Sequence, residues 1–216
     1  MRRALVSGLL VALALAGCGG SGSATQTRSP EPDPAATLRA LVAAPHVSEQ
    51  LLTPSSRARV AGSELSEGVG SFPDDAPVRS RRAAPGWAVA WTSGDRVAEG
   101  QREFAAYGVA LRRTGSRWLA EIAGPVQLRP LGPDPGSAVG TIPQVAVELK
   151  APRAIEDASL WVDGQPVDYR SGGPSTRYVS IYGAPAAPLE PGRHVAIAFA
   201  RAGDTASAVA WPFTVR

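Results

Sequence analysis

"RHVAIAFAR" (Arg193–Arg201) and "SAVAWPFTVR" (Ser207–Arg216) decide how the chain folds. Val195, Ile197 and Phe199 recur at every second position of the first, and Val209, Trp211, Phe213 and Val215 at every second position of the other. A period of two puts such side chains on one face of a strand. Working outward, "QVAVELK" alternates Val145, Val147 and Leu149, and "RYVSIYG" alternates Val179 and Ile181 against Tyr178, Ser180 and Tyr182. In "ASLWVDGQPVDY" Asp163-Gly164 stands between two apolar stretches, the residue pair favoured in two-residue hairpin turns. Pro212 cannot donate to a ladder, which implies an edge position or a bulge. Strand after strand without a helix predicts an all-β sandwich over residues 138–216.

Upstream the order is different. Asp33-Pro34 is a helix start, with Asp as N-cap and Pro at the first helical position. Leu38, Leu41 and Val42 follow at one-faced helical spacing, and Pro45 closes the segment. Thr53-Pro54 repeats the signal for a short helix carrying Ala58 and Val60. Residues 62–84 read as a long polar connection. "GWAVAWT" (Gly86–Thr92) reads as a strand, and Arg102–Gly124 as two antiparallel strands around a three-residue loop at Thr114-Gly115-Ser116. Tyr107, Val109 and Leu111 share one parity, as do Trp118, Ala120 and Ile122. This is an α+β order over residues 36–128. "LRPLGPDPGS" (Leu128–Ser137) is rich in Pro and Gly, so 129–137 reads as a linker.

Residues 1–17 have the form of an export signal: Arg2 and Arg3 precede an apolar run from Leu5 to Ala16, too short to span a bilayer. Leu15-Ala16-Gly17-Cys18 resembles the lipobox of bacterial lipoproteins. That resemblance implies cleavage before Cys18, acylation of its thiol and amine with diacylglycerol and palmitate-type chains, and an extracytoplasmic location on the outer face of the cell membrane or on an outer membrane. Two or three acyl chains hold a protein stably where one does not. Residues 18–35 then form a Gly/Ser/Pro tether with a reach of ~20–25 Å. Cys18 is the only cysteine, so its acylation leaves no thiol for a disulfide or a metal.

Two further resemblances bear on fold. The helices and the "VALRRTGSRWLAEI" hairpin look like NTF2-like α+β domains of exported bacterial proteins. The "LWVDG…PLEPGRHVAIAFA…WPFTV" progression resembles bacterial immunoglobulin-like domains, but without the cysteine pair of antibody domains. That likeness implies that Trp161, Trp211 and Phe213 fill the sandwich centre, and that His194 is a turn and packing residue.

Composition excludes more than it selects. Without Arg2 and Arg3, 20 basic residues face 19 acidic ones, and arginine outnumbers lysine 21 to 1. Arg79, Arg81 and Arg82 read as a solvated loop, with no nucleic-acid-binding motif beside them. His46 and His194 fall in different proposed domains, and neither lies in a metal-binding or catalytic spacing. A calcium site at Asp74, Asp75 and Asp95 is the one metal arrangement to consider. The expectation is therefore a non-catalytic lipoprotein without cofactor, held to the membrane through Cys18 and interacting with an envelope protein. One rival binds a small apolar or aromatic ligand at Trp87, Trp91, Tyr107 and Trp118. The other is an NTF2-like enzyme using Tyr107 and Asp95.

Overall fold

The computed structural model describes residues 32–43, 49–60, 72–73, 75–98 and 100–216. Cys18, His46 and Asp74 lie outside them. Glu31–Arg216 makes one compact unit.

The unit is built in layers, and each layer follows from a periodicity. Helix α1 (Pro34–Ala43) begins as its sequence predicts, with the Ala35 N–H donating to Asp33 Oδ1 at 2.9 Å. Helix α2 (Pro54–Val60) begins the same way, with the Ser56 N–H on Thr53 Oγ1 at 3.2 Å; Val60 is buried, but Ala58 is exposed. The helices cover the first sheet, ordered β1 (Val78–Ala84), β2 (Trp87–Ala98), β3 (Gln101–Thr114), β4 (Arg117–Glu121), all antiparallel. Leu38, Leu41 and Val42 of α1 pack there on Ala88, Ala90, Val109, Leu111, Trp118 and Ala120. Burying such aliphatic side chains is worth ~1.5–3 kcal/mol each, which holds a ten-residue helix that would be marginal alone.

The remaining strands are β5 (Gln127–Gly132), β6 (Ala138–Val139), β7 (Val145–Lys150), β8 (Asp157–Val162), β9 (Gln165–Pro166), β10 (Tyr169–Ser175), β11 (Tyr178–Gly183), β12 (Gly192–Ala202) and β13 (Thr205–Val215). They form a second sheet, β10-β11-β7-β5, and a third, β6-β13-β12-β8-β9. The third sheet is the middle layer. Val195, Ile197 and Phe199 of β12 face the first sheet and pack with Trp87, Val89, Trp91 and Ala110. Ala196, Ala198 and Ala200 face the second and pack with Val145, Val147, Leu149 and Ile181. The small alanines let two sheets approach on that side while the larger residues fill the other.

Several expectations hold. The Asp163-Gly164 turn joins β8 to β9 with both residues at positive φ, 51° and 80°, the geometry that favours this pair. Pro212, expected at an edge or a bulge, instead sits in the unbroken β12–β13 register opposite Val195, in a strand between β6 and β12, and its carbonyl accepts the Gly136 N–H at 2.8 Å. Gly115 is left-handed (φ 60°) as expected, but Thr114 pairs with Arg117, so the β3–β4 loop is Gly115-Ser116 and has two residues.

Others differ. Residues 78–84 are strand β1, not connection, and Arg79, Arg81 and Arg82 lie on it. Charge on an edge strand is a common guard against unwanted pairing, and it hides the strand from a hydrophobic pattern. The expected linker carries β5, antiparallel to β7, and its Pro130 is tolerated because β5 is an edge strand interrupted by a bulge. Trp161 points away from Trp211 and Phe213: Leu160 and Val162 take the sandwich side of β8, so Trp161 faces the first sheet. The two expected domains thus share a core. Among the described residues the structure is β-rich, with two short α-helices.

Candidate functional site

The first and third sheets come closest where β3 crosses β13. At Gly108 a Cβ would stand 2.8 Å from the Ala210 nitrogen and 2.9 Å from the Val209 carbonyl carbon. Only glycine allows that approach. To one side of the crossing the sheets splay apart into an open cleft of about 590 Å³. Phe104 and Ala106 of β3, Pro130, Pro135 and Pro212 form apolar walls, and Arg96, Glu103 and Arg193 stand among the lining. The lining residues include no histidine or cysteine.

Ion pairs fix the mouth. Arg193 binds Asp95 Oδ1 at 2.6 Å, and its guanidinium lies 4.9 Å from the centroid of the Phe104 ring. Arg96 and Glu103, cross-strand partners, pair at 2.6 Å. Both strands beside the cleft are incompletely paired. β4 pairs with β3 only over Ala110–Thr114, leaving Gln101–Val109 with no strand on the side away from β2 among the described residues. β6 pairs with β13 only at Thr214 and Val215. The arrangement can take an extended segment, with ring and proline faces for its apolar side chains and strand edges for its backbone.

The four aromatic residues nominated from sequence do not converge. Trp87 and Trp91 pack toward the third sheet; Trp118 and Tyr107 lie on the opposite face of the same sheet under α1. Alternation along β2, β3 and β4 forces this separation. Trp87, Trp91 and Trp118 are all buried, Trp87 and Trp91 in one hydrophobic cluster and Trp118 in another. Tyr107 is half-buried, and desolvation pushes its phenol up to about 12. Asp95 faces Arg193 across the sheet from Tyr107, so the nominated acid–base pair is not brought together. Asp75 and Asp95 do line one open depression, alongside Arg96 and Arg102. Among the described residues no cluster of three possible metal ligands exists.

Two polar clusters escaped the sequence reading. Glu121, whose side chain is fully buried, accepts from the Thr53 hydroxyl at 2.5 Å, from Ser55 at 3.1 Å and from Arg59 at 2.6 Å. The Ile122 N–H donates to Ser56 Oγ at 2.8 Å, so the first turn of α2 is bolted to β4. In the second cluster Asp163 accepts from the Val195 N–H at 2.9 Å and meets His194 Nδ1 at 2.6 Å. His194 Nε2 lies 2.8 Å from the Glu190 carbonyl and its ring stacks on Phe213 at 5.6 Å, a turn and packing position. "TPSSRAR…E" and "DG…RHV" carry these residues, but nothing local in either segment announces its distant partner.

The outer face of the second sheet holds a third polar group. Arg129, and after it the Tyr178 hydroxyl, hold the Glu148 carboxyl below its usual range. The same contact raises Tyr178.

No protein-family model matches the chain, and no curated protein matches it as a relative. Among the described residues no helix is long and apolar enough to cross a membrane.

Proposed function

We propose that this is a lipid-anchored extracytoplasmic protein, non-catalytic, whose body binds an envelope protein partner in the cleft between β3 and β13. The observation that carries the reading is the pairing of a cleft of mixed lining, with ring and proline faces beside Arg96, Glu103 and Arg193, and a β3 edge over Gln101–Val109 that no strand covers among the described residues. Addition of an extended segment to an exposed edge is a recurrent mode of peptide recognition, with backbone bonds giving affinity and side-chain pockets giving selectivity. The lipobox at Leu15–Cys18 supplies the anchor and the location.

In this reading residues 138–216 are an immunoglobulin-like sandwich. Two facing sheets, the Asp163-Gly164 hairpin and a centre packed without cysteine support it. The NTF2-like reading of residues 36–128 is supported by two helices followed by an antiparallel sheet, with α1 lying across one face.

The test takes the full chain in its native membrane. Cys18→Ser should abolish palmitate labelling and leave an unprocessed precursor. An envelope protein captured by crosslinking to the wild-type chain should be lost in the Phe104→Ala/Ala106→Glu variant, and kept in Tyr182→Ala on the distant second sheet. A labelled Cys18→Ser chain sinks the anchor, and capture indifferent to Phe104 and Ala106 sinks the cleft.

A further inference from the structure

On the second sheet, the face turned away from the third carries two exposed aromatic rings. β11 lies inside this sheet, between β10 and β7, and its alternation sends Ile181 into the core and Tyr178 and Tyr182 to the outer face. Both tyrosines are exposed, at 36% and 38%. Four residues apart on one strand, they stand about 13 Å from each other. The floor around them is low. Tyr182 has Ala146 as its neighbour on β7, and Ser180, between the two rings, has Gly172 as its neighbour on β10. Rings gathered at the centre of a face, where single apolar residues would be ordinary, mark an interaction site.

Tyr178 is tied down along the sheet. Its hydroxyl donates to Glu148 on β7, which is the cross-strand partner of Ser180 and not of Tyr178, so the ring leans over the strands. Glu148 is fixed from its other side by Arg129 of β5, at 3.1 Å. A guanidinium and a carboxylate therefore sit beside the ring, one offering donors and the other acceptors. Cations flank this centre. Lys150 stands opposite Tyr178, Arg170 stands opposite Tyr182, and Arg177 lies in the β10–β11 turn. None of these three is within ion-pair distance of a carboxylate among the described residues. Even with Asp168, just before β10, counted against them, Arg129, Lys150, Arg170 and Arg177 face only Asp168 and Glu148.

We propose that this face binds an acidic polysaccharide, whose sugar rings lie on Tyr178 and Tyr182 and whose carboxylates meet Lys150, Arg170 and Arg177. A pyranose ring presents a flat patch of weakly positive C–H groups, which suits the negative face of an aromatic ring. Two rings with low ground between them suit a long, flat chain better than a compact ligand. Sugar hydroxyls both donate and accept, and the Arg129–Glu148 pair answers both. The unpaired cations then hold the acid groups of the chain by charge-assisted hydrogen bonds. Glu148 tells against a nucleic acid, because a fixed carboxylate in the middle of the face repels a phosphate backbone. A protein partner needs pockets for its anchoring side chains, and the floor at Ala146, Gly172 and Ser180 is too shallow to supply them. The surface is separate from the β3–β13 cleft, whose lining includes none of these residues.

The experiment uses the full chain in a non-ionic detergent. Calorimetry reads its binding of oligogalacturonate, of a neutral cello-oligosaccharide of the same length, and of oligothymidylate of the same charge. Oligogalacturonate should bind most tightly of the three. Salt at ~0.5 M should weaken that binding without abolishing it, because screening removes the charge attraction and leaves the stacking. Tyr182→Ala, with an unchanged melting temperature, should lose about two- to tenfold in affinity, the worth of one aromatic contact, and Tyr182→Phe, which keeps the ring, should bind as the parent does. Lys150→Gln/Arg170→Gln should lose about fivefold. Arg79→Gln/Arg81→Gln, which removes the same charge from β1, should bind as the parent does. No binding of oligogalacturonate overturns the proposal. So does tighter binding of oligothymidylate, which would make the face a nucleic-acid surface. An equal loss in the Arg79/Arg81 variant overturns it too, by reducing the effect to net charge.

Discussion

Gly108→Ala is the sharpest single test of how the sheets are joined. The added Cβ would stand 2.8 Å from the Ala210 nitrogen and 3.1 Å from the Ala210 Cβ, where ordinary contact begins near 3.4 Å. The obstacle on the far side is backbone, which cannot rotate out of the way, so β3 and β13 must separate by ~0.6 Å. A gap of that size forfeits a quarter or more of the dispersion well for the atoms facing across it. Phe199, Ile197, Val89 and Ala110 pack in the affected core. Overpacking of this kind costs about 1–3 kcal/mol, offset by the ~0.4–1 kcal/mol that replacing glycine gains through the unfolded chain. A net loss near 1–2 kcal/mol follows. Gly94→Ala on β2 is the internal control: nothing stands within 4 Å of its new Cβ, so it should be neutral or slightly stabilising. In urea, followed by tryptophan fluorescence, the two midpoints should differ by about 1 M. A Gly108→Ala midpoint at or above the wild-type value would refute the close crossing, and a Gly94→Ala midpoint falling equally far would refute the contact argument.

Glu121→Ala should cost about 3 kcal/mol or more, because it strips the ion pair from Arg59 and the acceptor from Thr53 and Ser55; chemical denaturation reads it, and a loss under 1 kcal/mol would show that α2 is held by something else. Asp163→Ala should lose about 1–3 kcal/mol by removing the Val195 and His194 contacts at a positive-φ position, and Asp163→Asn should restore the turn geometry but not the full pairing. For Tyr107 the sign follows from linkage: its folded pKa near 12 exceeds the ordinary 10.0, so the unfolded chain binds fewer protons in that window and stability should fall as pH rises from 10 toward 12. Tyr107→Phe should remove that component from the pH dependence of melting, and absorbance at 295 nm should show one phenol titrating late.

Legibility in the sequence followed the size and reach of each signal. Helix starts and the Asp163-Gly164 turn are local chemistry, and both lie where "DP", "TP" and "DG" place them. Strands with one apolar face, such as β7, are equally plain. β1, with arginines at 79, 81 and 82, and β10, "YRSGGPS", are exposed edge strands that bury too little to leave a pattern. The burial of β12 on both faces was available in principle, since alanines fill every position between Val195, Ile197 and Phe199. The alternation marks only Val195, Ile197 and Phe199 as a face, and the alanines between them form the other. The cleft was not readable at all, because it depends on how two strands more than ninety residues apart cross at one glycine.

The middle layer has a consequence for how the polypeptide comes into being. β12 and β13 emerge from the ribosome after the other described strands, yet both of their faces are covered by segments made earlier. Until Gly192–Val215 arrives, the first sheet lacks the partner for its Trp87–Val89–Trp91 side, and the second lacks the partner for its Val145–Val147–Leu149 side. Nascent chains ending before Gly192 therefore stay loose and open to proteases, and folding waits for β12 and β13 to emerge.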